Sequence, residues 1–207
     1  MGRYTIIADI GQYLTDVLAE GLIPELLADK NEIGLCCPEE KGDLTVGIYL
    51  YDIQENEAFR VSGMVNHSFQ AQSYPPTFLS LYYMITVWSP SDIRFRAIQE
   101  HRILGKIIQL LKDKNLWEAA EFGNDDVPNI RVEYLEMTPE EKAKAWNSTA
   151  LPYRTSLFFK IGPVSLDSAK TREIHRVMDM DIQVKEDEGR HGKNTDYLER
   201  AGGGEAV

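Results

Sequence analysis

Positive charge is scarce in this chain. Against 33 Asp and Glu there are 22 Lys and Arg, a formal net charge of -11 with histidine neutral. Phosphate binding needs a basic face, so this balance excludes nucleic acid as a general partner. Lys and Arg are scattered, and their densest groups (Lys142 with Lys144; Arg94, Arg96 and Arg102) sit among acids or apolar residues. Cysteine is rarer still. Cys36 and Cys37 are adjacent, which suits neither a zinc C-x-x-C pair nor a disulfide framework and points to synthesis in a reducing cytoplasm. No apolar run nears the roughly 20 residues that span a bilayer, so no membrane insertion by this chain is expected. In "MGRYTIIADIGQYL" Asp9 breaks the apolar residues before a signal h-region develops. Ile6 stands where a myristoylation signal beginning at Gly2 would need Ser or Thr. Phosphate-cradling glycine patterns and the G-x-S-x-G nucleophile turn are missing too, so no cofactor is expected.

What is present is a foldable pattern. Hydrophobic residues make up 43% and charged ones 27%, close to the globular average. Ile6, Ile7, Ile10, Leu14, Val17 and Leu18 recur at helical spacing, and Gly21 and Pro24 mark the end of that helix. A turn-rich loop, "ADKNEIGLCCPEEKGD", leads to "LTVGIYLYD", a strand with both faces partly covered. Residues 54–73 read as a long polar connection with irregular strand pieces, and "TFLSLYYMITVW" as a second central strand. "SPSD" starts a helix over 93–112 whose stripe is Ala97, His101, Leu104, Ile108 and Leu111. "NIRVEYLEM" alternates as a strand. In "TPEEKAKAW", Thr138, Pro139 and Glu141 form a capping box. A last strand lies in "YRTSLFFKIGPVSLD". Too few helices separate the strands for a doubly wound parallel sheet. The expectation is an α+β fold with a mixed, largely antiparallel sheet flanked by helices. Residues 1–166 form the folded domain, and residues 167–207, with 10 acids and 7 bases, an extended C-terminal arm.

The candidate site lies in "LTVGIYLYDIQENEAFR", where Asp52, Glu55 and Glu57 surround Asn56. If the strand continues, Asp52 and Glu55 face opposite sides and do not converge as an acid/base pair. An EF-hand would need regular oxygen ligands, a glycine and a closing glutamate, which this stretch lacks. Asn56 suits a left-handed turn, and Arg60 could pair back onto the carboxylates. His101 could act as a general base beside Glu100 or Asp92, yet no second His lies at helical spacing, and a half-buried structural residue is the simpler reading. His191 sits in a polar tail context. Trp88, Trp117 and Trp146 read as core anchors.

Taken in order, "TIIADIGQYLTDVL", "IYLYDIQENEAFR", "PPTFLSLYYMITVW", "QEHRILGKIIQLL", "YLEMTPEEKAKAWNS" and "PYRTSLFFKIGPVSLDS" resemble the cap, or tail-terminator, proteins of phage-tail-like contractile injection systems. The resemblance runs from residue 6 to about residue 168 and leaves out the Cys36–Cys37 loop and the arm. It implies a structural protein without catalytic residues. Its expected state is a homohexameric ring at the end of the particle distal to the baseplate, closing the inner tube and meeting the last ring of the contractile sheath. The partners so implied are itself, the inner tube protein and the sheath protein. The resemblance picks out Tyr49, Asn56 and Arg60, and with them Asp52 and Glu55 become candidate interface residues. Two alternatives stand beside it: a small metal-assisted hydrolase using Asp52, Glu55 and His101, and an adaptor of the same particle that forms no ring.

Overall fold

The computed structural model describes residues 4–60, 63–66, 71–123, 127–147 and 149–173. The chain divides into Met1–Ile174 and His175–Val207, and the second unit lies outside the described residues.

In the first unit, α1 (Ile6–Leu22) buries Ile6, Ile10, Leu14, Val17, Leu18 and Leu22, the face its spacing predicts. Gly21 does not end this helix; it lies inside the last turn. A Cβ there would stand 2.3 Å from the side chain of Leu110, so the residue is small because another helix crosses at that point. The crossing helix is α2 (Ile93–Asp113), capped by Asp92, whose side chain accepts from the Arg94 N–H at 3.0 Å.

The predicted stripe of α2 requires correction. Its buried residues are Ile103, Leu104, Ile107 and Leu111, all in the second half, whereas Ala97 and His101 are exposed. The physical reason is coverage. Residues 92–98 at the start of the helix are all exposed, so burial there does not follow the apolar pattern.

The main sheet has six strands in the order β1 (Ile33–Leu35), β2 (Val46–Glu55), β5 (Thr77–Val87), β8 (Ser156–Leu166), β7 (Ile130–Tyr134), β6 (Leu116–Trp117). Only the β1–β2 pair is parallel. The α+β architecture and the largely antiparallel sheet are those expected from sequence. The expected loop before β2 does contain a strand, β1. It is three residues long with Gly34 at its centre, and such a piece carries no period of its own.

A second sheet of three strands joins β3 (Val65–Asn66), β4 (Ala71–Ser73) and β9 (Thr171–Glu173). The stretch assigned to the arm therefore contributes a strand within the described residues, pairing Gln72 with Arg172.

One face of the main sheet packs on α1 and α2 through Ile48, Leu81, Tyr83, Ile85, Phe159 and Ile161. The other carries a smaller cluster of Met84, Phe158 and Trp146. Trp146 ends α3 (Pro139–Trp146), whose start is fixed by the Thr138–Glu141 capping box. Its ring is 2% exposed, and its indole N–H donates to Ser156 Oγ at 2.9 Å, so the polar edge is satisfied while the rest is apolar burial. Trp117 is equally buried, and Trp88 is half-buried. Trp146→Ala is expected to cost about 3–5 kcal/mol of stability, and Thr138→Ala about 1 kcal/mol, both read from urea unfolding midpoints.

Candidate interface

β2 pairs antiparallel with β5 along its whole length, but β1 covers its outer edge only as far as Ile48. One further bond follows, from Cys36 N–H to the Ile48 carbonyl at 3.0 Å. From Tyr49 to Glu55 the outer edge of β2 has no strand neighbour among the described residues.

A bulge interrupts β2 here. Leu50 lies opposite Tyr83 and Asp52 opposite Tyr82, so Tyr51 is the extra residue. The insertion turns both Tyr51 and Asp52 toward the face that carries α3. Tyr51 packs edge-on to Phe158 with ring centroids 5.7 Å apart. Burial, and then the nearby charge of Asp52, pushes the Tyr51 hydroxyl up to about 12. Asp52 accepts from Gln54 Nε2 at 2.6 Å, and Gln54 Oε1 accepts from the Tyr82 hydroxyl at 3.2 Å. Tyr49, half-buried, packs on the Met84–Trp146–Phe158 cluster.

The strand continues to Glu55, which lies opposite Leu79 on the helix-bearing face. Asp52 and Glu55 thus point to opposite sides of the sheet, and they do not form an acid/base pair. His101 lies at the margin of the buried face of α2, one turn before Leu104, and is exposed. It is not the half-buried residue the sequence suggested, and it does not meet Asp52 and Glu55. Among the described residues no group of three or more His, Cys, Asp or Glu is placed to hold a metal ion.

Asn56 departs from expectation as well. Its φ of -95° and ψ of 91° are extended, not left-handed. The residue is held instead by hydrogen bonds: its N–H donates to the Phe78 carbonyl at 2.7 Å and its Nδ2 to Ser80 Oγ at 3.2 Å. Its carbonyl accepts from the Phe59 N–H at 3.2 Å, starting the short helical turn Glu57–Phe59. Phe59 then packs on Phe78, ring centroids 5.9 Å apart. The chain reverses through backbone and amide bonds, so no positive φ is needed. Arg60 does not pair back; among the described residues it makes no ion pair, and it is exposed.

Beside the open edge lies a mainly apolar groove of about 420 Å³, lined by Ile7, Gly11, Leu35, Cys36, Leu50 and Tyr83. Burial raises the Cys36 thiol above its ordinary value, so it stays protonated in this setting. Nothing in the groove converges as a nucleophile and base. The region combines an exposed backbone edge, an apolar groove and a fixed, charged turn.

Sequence reasoning missed a second cluster at the other end of β5. Arg154 Nη2 lies 2.7 Å from Glu100 Oε1 and 3.5 Å from the Val87 carbonyl, with its guanidinium 5.9 Å from the Trp88 ring centre. Glu100 also accepts from the Ser89 N–H at 3.2 Å. This ties α2 to the end of β5 and the lead into β8. The two partners are remote in sequence and belong to no motif, so no local signal announces them.

The fold is that of the tube terminators of contractile injection systems. It matches, with a TM-score of 0.63 and 18% identity, a cryo-EM structure of the PVC sheath/tube terminator of an extracellular contractile injection system in its extended state, over 91% of this chain and 66% of that one. It also matches the tube-terminating cap of the anti-feeding prophage, with a TM-score of 0.59 and 19% identity, over 86% of this chain and 61% of that one. The chain thus spans about two thirds or less of the length of either protein. Residues 9–179 match the Pvc16 N-terminal domain, and the chain belongs to that family. No curated protein matches it in sequence.

Asn56→Ala is expected to lower stability by about 1 kcal/mol, since it strands Ser80, whereas Arg60→Ala stays within about 0.5 kcal/mol. Urea unfolding of both variants checks this ranking.

Proposed function

We propose that this protein is a structural cap of a contractile injection system, a homohexameric ring that ends the inner tube and contacts the last ring of the sheath. The observation that carries the reading is the match of nearly the whole described chain to a sheath/tube terminator, together with membership of the Pvc16 N-terminal domain family. Physics gives such a protein a task. A tube or sheath grows by head-to-tail contacts that do not close along its axis, so its length is set by a subunit that offers one matching surface and refuses the next layer. The role asks for contact surfaces and not for catalysis. Among the described residues no helix is long and apolar enough to cross a membrane. The site of action proposed is the distal end of the particle, after synthesis in the cytoplasm.

In this reading Tyr49, Asp52, Glu55, Asn56 and Arg60 face neighbouring subunits, and the arm, residues 167–207, reaches toward tube or sheath. Support for the first comes from the edge of β2, which has no strand neighbour among the described residues beyond Ile48, and from the exposed Arg60, which makes no ion pair among them. Loss of the gene should give tubes and sheaths of uncontrolled length, or no particles; stable particles of normal length in the deletion strain contradict the reading. Arg60→Ala should reduce ring formation about fivefold or more at an unchanged melting temperature, measured by native mass and thermal melts. A chain ending at Ile174 should melt within a few degrees of the full chain, at most a few tenths of a kcal/mol apart, and incorporate poorly into particles.

A further inference from the structure

The first half of α2 exposes large apolar side chains. Ile93 is 78% exposed, Phe95 63% and Ile98 53%. Phe95 and Ile98 share a face with Arg94 and Arg102, at spacings of three, four and seven residues. That face lies about half a turn away from the buried Ile103–Ile107 stripe, so it looks outward. Of the two acids close to it, Glu100 is paired with Arg154, while Asp92 keeps its charge at the helix start, where its side chain accepts from the Arg94 N–H. What remains is apolar and cationic, on a chain whose formal charge is -11.

The complementary surface is on the same molecule, at the other end of the sheet. α2 starts just beyond Val87, the end of β5, whereas Glu55 lies opposite Leu79 near its start. Eight residues of strand separate the two levels, on the order of 26 Å. There Ile53 (44% exposed) lies with Glu55 on the helix-bearing face, Asp52 lies on the other, and Phe59 (38%) follows in the turn with Glu57 and Arg60. An apolar patch with arginines at one end of a molecule and an apolar patch with carboxylates at the other cannot meet within one copy. They can meet between copies, and a head-to-tail contact of this kind repeats until rotation closes it into a ring.

We infer that the outward face of α2, through Arg94, Phe95, Ile98 and Arg102, docks on the 52–59 region of the next copy of this chain in the ring. The inference rests on the ring proposed above and names its subunit contact. Phe95 and Ile98 supply the desolvated centre, and the arginines select the acidic turn and set the register. An anionic membrane would also attract arginines beside phenylalanine, but the acidity of the chain as a whole opposes approach to such a surface.

The test is a charge exchange in the full chain. Arg94→Glu with Arg102→Glu, and separately Glu55→Arg with Glu57→Arg, should each weaken self-association about tenfold or more, at melting temperatures within a few degrees of the unmodified chain. All four substitutions in one chain should restore association to within about threefold, because the pairing is inverted rather than removed. Native mass spectrometry and class averages of stained particles, with and without the inner tube protein, read the result. Rings that form as well in both charge-reversed pairs, or a fourfold exchange that stays dissociated, overturn this contact and leave the ring itself standing. An unmodified chain that stays monomeric even with tube protein overturns both. Binding to phosphatidylcholine–phosphatidylserine vesicles that Arg94→Glu abolishes, with self-association untouched, assigns the face to a membrane and overturns the contact.

Discussion

The register of β5 against its two neighbours is the constraint on which the rest of the molecule depends. β5 is the strand that β2 and β8 both pair with, and each of those pairings is interrupted: on β2 by Tyr51, opposite the middle of β5, and on β8 opposite Ser80, near its start, where Gly162 and Pro163 intervene. Side chains alternate strictly along a strand, so one extra residue moves everything beyond it to the other face. Before the bulge Leu50 joins the helix-side core; after it Asp52 and Gln54 stand with Tyr82, and Asn56 comes within reach of Ser80. Without the insertion the same sequence would bury a carboxylate under the helices or abandon the pairing. The charged turn is thus a product of how the core is registered.

This explains what the sequence disclosed and what it withheld. α1 was legible because its apolar residues recur with the period of a helix, β5 because it is a long, nearly unbroken apolar run, and α3 because a capping box is a local chemical device. β1 and β6 were not, being three and two residues long and held in place by β2 and β7. The stripe of α2 held for Leu104, Ile108 and Leu111 but not for Ala97 and His101, because periodicity predicts which residues agree with each other. It does not say which side the rest of the protein will cover. Ala97 and His101 fit the pattern and still face solvent.

The candidate site was legible in place and less so in detail. The sequence located the acids, denied Asp52 and Glu55 a common face, and singled out Asn56 and Arg60 through family resemblance. Asn56 was expected to act through its tolerance of a left-handed backbone. It acts through its amide and main-chain bonds, an arrangement that depends on a bulge invisible in one sequence. The Glu100–Arg154 link shows the same limit from the other side. Two ordinary residues far apart in the chain gain meaning only when β5 and α2 bring their ends together.

The uncovered edge of β2 sets a demand of another kind. Seven residues of open strand beside an apolar groove are a template on which extended chains of any origin can grow, the copy next door included. On the function proposed above, a subunit that ends a polymer must not seed a polymer of its own. The kink at Tyr51 and the acids on either face of the strand act as wardens of that edge: the one breaks its straight ladder, the others repel an identical neighbour laid alongside. In the proposed ring, the carboxylates that would meet a neighbour's arginines also serve to keep free copies apart.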